Sequence, residues 1–193
     1  VFVISDEIHC ELTYPEHDYT PFASLGEEFR LHSATCISPS KAFNIAGLQI
    51  ANIVTANNEI RALIDKAINI NEVCDVNPFG VEATIAAYSS DGAQWLDELR
   101  DYLHENWLIA RDFFAANIPT CPVTELEGTY LVWIDIRSTC LSSDEVTSRL
   151  LDEQKLMVNS GSMYGGEGFI RLNIACPRSQ VVEALERMAK VLA

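Results

Sequence analysis

Positive charge is what this 193-residue sequence has least of: 13 Lys and Arg stand against 28 Asp and Glu, a formal net charge of −15. Nucleic-acid binding relies on Lys and Arg to release counterions from phosphates, so a nucleic-acid partner is disfavoured. Attraction to an anionic membrane surface is disfavoured for the same reason. Long apolar runs are missing too. Although 48% of the residues are hydrophobic, no stretch reaches the roughly 18 residues of a membrane-spanning helix. The start lacks the basic segment and small-residue cleavage site of a secretory leader. No C-x-x-C pair exists among Cys10, Cys36, Cys74, Cys121, Cys140 and Cys176, which removes the usual zinc spacing and predicts no metal site. Several of these cysteines lie in apolar runs, as expected of buried free thiols in a cytoplasmic protein. An initiator Met is absent as well. The chain opens Val1-Phe2-Val3-Ile4, as if within a strand, and the expectation is a piece of a longer protein.

Apolar patterning supplies the organisation. Residues 1–5 read as a fully buried strand ending at Ser5-Asp6. Residues 34–38 form a second such run and residues 48–54 a third. Asn57-Asn58 offers caps for a helix through about Ile70, and residues 69–78, rich in Asn and Asp, read as a loop. Short buried strands separated by helix and loop point to an α/β fold with a mostly parallel sheet. From residue 82 the texture changes. Trp95, Leu99, Leu103 and Trp107 recur every four residues, widened by Leu96, Ala110, Phe113 and Phe114. This predicts one long amphipathic core helix closed by Pro119. Residues 130–134 predict a strand, and Ser142 with Glu145 a capping box for a helix through about Glu153. Residues 156–158 and 169–174 predict two more strands, and Val181, Val182, Leu185, Met188 and Leu192 mark a closing helix. The expected division is 1–92, an incomplete part of a large α/β domain, and 93–193, a small α+β domain.

Three residues sit where a purely structural role is strained. Asp6 ends an apolar strand; ligands of open α/β sheets bind beyond such ends, and the alternative is a carboxylate that only caps its own turn. Lys41 follows a buried run in Ser38-Pro39-Ser40-Lys41 and precedes Ala42-Phe43. An amine in apolar surroundings either snorkels to water or serves as a nucleophile toward a carbonyl. Arg171 interrupts the apolar strand Phe169-Ile170-Arg171-Leu172-Asn173-Ile174. Its fork fits a carboxylate, either from a substrate or within an internal salt bridge. Other features are blander. The glycine-rich residues 161–168 precede a strand instead of a helix, so they offer no phosphate-binding helix N-terminus. Tyr164 within them reads as surface packing. His17, His32 and His104 have no ligand spacing, and Glu27-Glu28 reads as a solvated face.

Taken together, Ser5-Asp6-Glu7-Ile8-His9, the string from Ser38 to Leu48, Gly128-Thr129-Tyr130-Leu131-Val132-Trp133 and the string from Phe169 to Arg178 resemble one known group. This is the fold-type I, pyridoxal-phosphate-dependent aminotransferase class I/II superfamily, and within it the MalY/PatB branch of cystathionine β-lyases and related C–S lyases. The resemblance covers essentially the whole chain and corresponds to the C-terminal half of a family member. It implies that Lys41 holds pyridoxal 5′-phosphate as a Schiff base and later acts as base on the substrate Cα–H. Asp6 is then the partner of the pyridine nitrogen, Ile8 packs on the ring, His9 lies near the cofactor's phenolic oxygen and Ser38 touches the phosphate. Arg171 clamps the α-carboxylate of an amino-acid substrate. Gln49 stands where many aminotransferases carry a phosphate-binding Arg, which favours the lyase branch. The implied reaction is β-elimination of a thiol with release of pyruvate and ammonia, in a homodimer. Transamination, and a non-catalytic interaction domain that retains the fold, remain as alternatives.

Overall fold

Two short apolar runs, each ended by a polar residue, pair to begin the fold. The computed structural model describes all 193 residues, Val1–Ala193, as two compact units, Val1–Leu99 and Arg100–Ala193. In the first unit β1 (Val3–Asp6) lies parallel to β2 (Ser33–Ile37), with Asp6 opposite Cys36. The short helix α1 (Glu27–Leu31) precedes β2. β3 (Asn52–Val54) closes the sheet in the order β1-β2-β3, antiparallel to β2. One of the two pairings here is therefore parallel. The connection from β2 to β3 carries only a 3-10 turn at Ala46–Leu48; without a crossover helix the chain returns antiparallel. The third strand is correspondingly shorter than the apolar run over 48–54.

Helix α2 (Asn58–Ile70) starts where the sequence indicates, the Asn57 side chain accepting from the N–H groups of Glu59 and Ile60. The long amphipathic helix forms over the predicted stripe, with a shorter helix ahead of it. Asn77 caps a separate helix α3 (Pro78–Ala87), with Pro78 in its first turn, and α4 (Ser90–Asn117) follows a break at Tyr88 and Ser89. The break is local: Ser89 Oγ accepts from Gly92 N at 3.2 Å, a side-chain cap that starts a new helix. The core of this unit is small, consisting of Leu12, Tyr14, Ala34, Ala42, Ile50 and Ala87. Contrary to a fully buried first strand, Ile4 is 72% exposed and burial alternates along β1. Trp95, at the start of the predicted core stripe, is likewise exposed and stacks on Phe43 at 5.6 Å.

The second unit packs α4 from Arg100 onward, α5 (Ser143–Gln154) and α6 (Arg178–Leu192) with an antiparallel sheet. Its strands are β4 (Leu131–Asp135), β5 (Asn159–Ser160) and β6 (Phe169–Asn173), in the order β4-β6-β5. Residues 156–158 are not a strand; pairing begins one residue later, with Asn159 opposite Arg171. Leu103, Trp107 and Phe114 of α4, Val132 and Ile134 of β4, Leu150 of α5, Ile170 of β6, and Leu185 and Met188 of α6 are all buried. Each buried Leu or Ile contributes about 1.5–3 kcal/mol relative to exposure. Asn106 is fully buried on α4, where its Nδ2 donates to Ile174 O (3.0 Å) and Cys176 O (3.2 Å) at the exit of β6. Among the cysteines only Cys121 is buried; Cys74 and Cys140 are exposed, which departs from the expected set of interior thiols. No helix is long and apolar enough to cross a membrane.

Candidate active site

Parallel pairing of β1 with β2 brings the ends of both strands to one sheet edge. Asp6 is the last residue of β1, and the segment Ser38 to Lys41 follows directly from β2. Asp6 Oδ1 accepts the N–H of Ile8 at 3.2 Å, closing the turn that carries half-buried Ile8 and His9. The carboxylate thus does cap its turn, and Oδ2 is left without a protein donor. The neighbouring Glu7 is buried, and its Oε1 accepts from Ser5 Oγ (2.9 Å) and Phe22 N (3.1 Å), tying the following loop back to the strand end.

Lys41 stands in a tight turn. Phe43 N donates to Pro39 O at 2.9 Å and Ile45 N to Ser40 O at 3.1 Å, with Asn44 in the left-handed region at φ 54° and Ala42 fully buried beneath. The lysine itself is exposed and its amine has no hydrogen-bond or ionic partner. The amine reaches water, as the snorkelling alternative expects, and the turn presents it there. Ser38 is buried and its hydroxyl is already engaged. It donates to Ile50 O at 2.6 Å and accepts from Ser40 N at 3.1 Å. Its single proton is therefore committed to a carbonyl. Gln49, exposed and left-handed at φ 51°, ends the 3-10 turn.

The other protic side chains near this edge are poor nucleophiles. Burial, reinforced by a hydrogen bond to Glu11, pushes the Cys10 thiol up to about 12. Burial with Glu7 raises the Tyr19 phenol, and burial with Glu11 raises that of Tyr88, whose hydroxyl donates to Glu11 Oε1 at 2.8 Å. All three stay protonated near neutral pH.

Arg171 belongs to the second unit, on the central strand β6, opposite Trp133 on one side and Asn159 on the other. No carboxylate is within ion-pair distance, so the internal salt bridge considered from sequence is not formed. Its Nη2 donates to Tyr164 Oη at 2.5 Å and to Asn159 Oδ1 at 3.4 Å, and Cζ lies 4.1 Å from the centroid of the Tyr164 ring. Its Nε is buried with no acceptor. A half-buried guanidinium with an unsatisfied N–H is suited to an external carboxylate. Sequence reasoning missed Asn159 and set Tyr164 aside. Only the pairing register and the loop's path bring these two to Arg171, and neither leaves a periodic signal. The loop needs Gly161, where a Cβ would stand 2.1 Å from Gly166 O.

The family model for aminotransferase class I and II matches residues 1–188. The chain belongs to the aminotransferase class I and II family. Cystathionine β-lyase PatB of Bacillus subtilis is 39% identical over 194 residues, covering 100% of this chain and 50% of that protein. Protein MalY of Escherichia coli is 34% identical over 184 residues, covering 94% and 46% respectively. Among solved structures, cystalysin from Treponema denticola, which contains a pyridoxal 5′-phosphate cofactor, superposes with a TM-score of 0.95 at 34% identity, over 100% of this chain and 49% of that one. A PLP-bound aminotransferase-like protein from Clostridium difficile gives 0.96 at 37%, over 100% and 50%. This aminotransferase-family chain thus has the fold-type I architecture, and it spans about half the length of the curated relatives it matches.

Proposed function

We propose that the complete protein is a pyridoxal-phosphate-dependent C–S β-lyase that releases a thiol, pyruvate and ammonia from a thioether amino acid. The observation that carries the proposal is the sheet edge where a partner-free Lys41 amine and the free Oδ2 of Asp6 emerge from adjacent parallel strands. These residues fit the cofactor's two ends of reactivity, and the similarity to PatB and MalY supports the lyase outcome. When bound, pyridoxal phosphate supplies a carbonyl for amines and an electron sink for the Cα electrons. Lys41 would hold it covalently and, with its amine free, would accept the substrate Cα proton and return it to the leaving thiolate. Asp6 would hold the proton on the ring nitrogen, Ile8 would pack on the ring, and His9 would serve its phenolic oxygen. Arg171 binds the α-carboxylate and so orients Cα–H. Water completes the balance, so that thioether amino acid plus water gives thiol, pyruvate and ammonia.

Phosphate is the part this chain supplies least. Gln49 is neutral and the Ser38 proton is engaged, so we assign the principal phosphate donors to the remaining half of the relatives' length. We infer likewise that residues 1–92 contribute to the cofactor-binding domain and 93–193 form the small domain. The resemblance supports a homodimer, and the six unpaired cysteines support a cytoplasmic location.

The test is a pyruvate assay on the complete protein with cystathionine, with and without added cofactor. Pyruvate that depends on the cofactor and falls at least about a thousandfold in Lys41→Ala is expected. A requirement for a keto-acid acceptor, with no pyruvate from the thioether, would establish the aminotransferase alternative. Activity unchanged in Lys41→Ala would remove catalysis through this residue altogether.

A further inference from the structure

The strap that joins β5 to β6 is fixed at both ends and exposes two side chains between them. Ser162 Oγ donates to Asp144 Oδ1 at 2.8 Å, Gly168 N donates to Ser143 Oγ at 2.9 Å, and Ser143 N donates to Glu167 Oε1 at 2.8 Å. All three anchors lie at the start of α5. Between them Met163 and Tyr164 are exposed, at 70% and 47%. Gly165 follows at φ 74°, with open space where a Cβ would stand. Gly165 N donates to Ser162 O at 3.2 Å and Gly166 N to Gly161 O at 2.9 Å, so the tip is a closed turn that carries Tyr164.

From this turn Tyr164 reaches Arg171. Its ring covers the guanidinium face at 4.1 Å and meets Trp133 edge-to-face at 5.9 Å; Trp133 in turn packs against Phe169 at 6.3 Å. Trp133, itself packed on Phe169, thus braces the Tyr164 ring, and the guanidinium carbon rests over that ring. Its hydroxyl oxygen accepts from Nη2 at 2.5 Å, while the adjacent Nε–H has no acceptor. A carboxylate presents two oxygens spaced to meet two N–H groups of this fork. The phenol thus stands where one carboxylate oxygen would bind, as a neutral and weaker acceptor.

We propose that Tyr164 is a positioning residue for carboxylate recognition: its ring holds the Arg171 fork in plane, and its hydroxyl engages Nη2 until a substrate α-carboxylate takes over both Nη2 and Nε. This rests on Arg171 being the α-carboxylate site. A charge-assisted bond to a carboxylate is roughly twice as strong as a neutral one, so a carboxylate displaces the phenol. A neutral carboxamide has no such advantage.

The experiment measures dissociation constants of glycine and glycinamide for the complete, cofactor-loaded protein, by cofactor absorbance and by calorimetry, beside the KM and kcat of pyruvate release. Tyr164→Ala removes the ring and is expected to weaken glycine about tenfold and glycinamide less than twofold, with the kinetic loss in KM. Tyr164→Phe keeps the ring and is expected to bind glycine at least as tightly as the parent. The proposal is overturned if Tyr164→Phe weakens glycine as much as Tyr164→Ala, if Tyr164→Ala binds glycine normally, or if it weakens both ligands equally. Arg171→Ala separates the two levels: it should abolish the preference for glycine over glycinamide. A preference that survives it would remove the carboxylate role of Arg171, and the proposal with it.

Discussion

Ser38 shows how one hydroxyl can be structural in a segment whose string suggests a cofactor contact. Its Oγ joins Ile50 O to Ser40 N inside the unit, holding the turn that presents Lys41. Replacement by Ala leaves both backbone groups unpaired in a buried place, which costs about 1–3 kcal/mol. Urea unfolding of the complete protein with Ser38→Ala should show that loss, with the cofactor dissociation constant changed by less than about threefold. A rise of tenfold or more with stability intact would instead make Ser38 a phosphate donor. Asp6, Lys41 and Arg171 are legible from their local strings because each breaks an apolar run. Tyr164 and Asn106 are not. Tyr164 meets Arg171 only through the path of a glycine-rich strap, and Asn106 meets Ile174 and Cys176 across some seventy residues of chain.

At the scale of elements, what the sequence shows best is what is made locally. The capping box is formed as its spacing implies: Ser142 Oγ accepts from Glu145 N, and Glu145 Oε2 accepts from Ser142 N. Ser142→Ala should lower the stability of the second unit by about 1 kcal/mol, seen as a lower urea midpoint with an unchanged slope. The two-residue strand β5 is misplaced from sequence because pairing with β6 decides it and its own hydrophobicity does not. The helix break at Tyr88 and Ser89 is made by one side chain, Ser89 Oγ accepting from Gly92 N, and leaves no apolar pattern to read. The start of α5 also carries pH dependence. Hydroxyls of Ser160 and Ser162 hold the Asp144 carboxyl below its ordinary value, and the Ser142 N–H does the same for Glu145. Groups lowered in the folded state stabilise it above the ordinary carboxylate range and lose that contribution as pH falls through and below about 4. Thermal melts from pH 7 down to pH 3 should show this fall, and Asp144→Asn should make it shallower.

On the scale of the whole chain, the two units differ in how far they bury what they have. In the unit Arg100–Ala193, β4, β6 and the three helices send apolar side chains into one interior. In Val1–Leu99 the amphipathic helix α2 buries none of its residues, and Ile4, Leu63, Ile70, Phe79 and Ile85 are all more than 60% exposed. Uncovered apolar surface gives no stabilisation through the hydrophobic effect, and sheet hydrogen bonds beside it open at low cost. Amide exchange of this 193-residue chain should therefore be graded. The amides of β4 and β6 should exchange slowest, near the limit set by unfolding of their unit, whereas those of β1, β3 and α2 should exchange faster by at least about tenfold. In a protein of the relatives' full length the same measurement tests whether this surface is a contact. If β1, β3 and α2 become as protected as β4 and β6, further chain covers them; if their rates stay high, the apolar face remains open to water and the weak first core is a property of the fold.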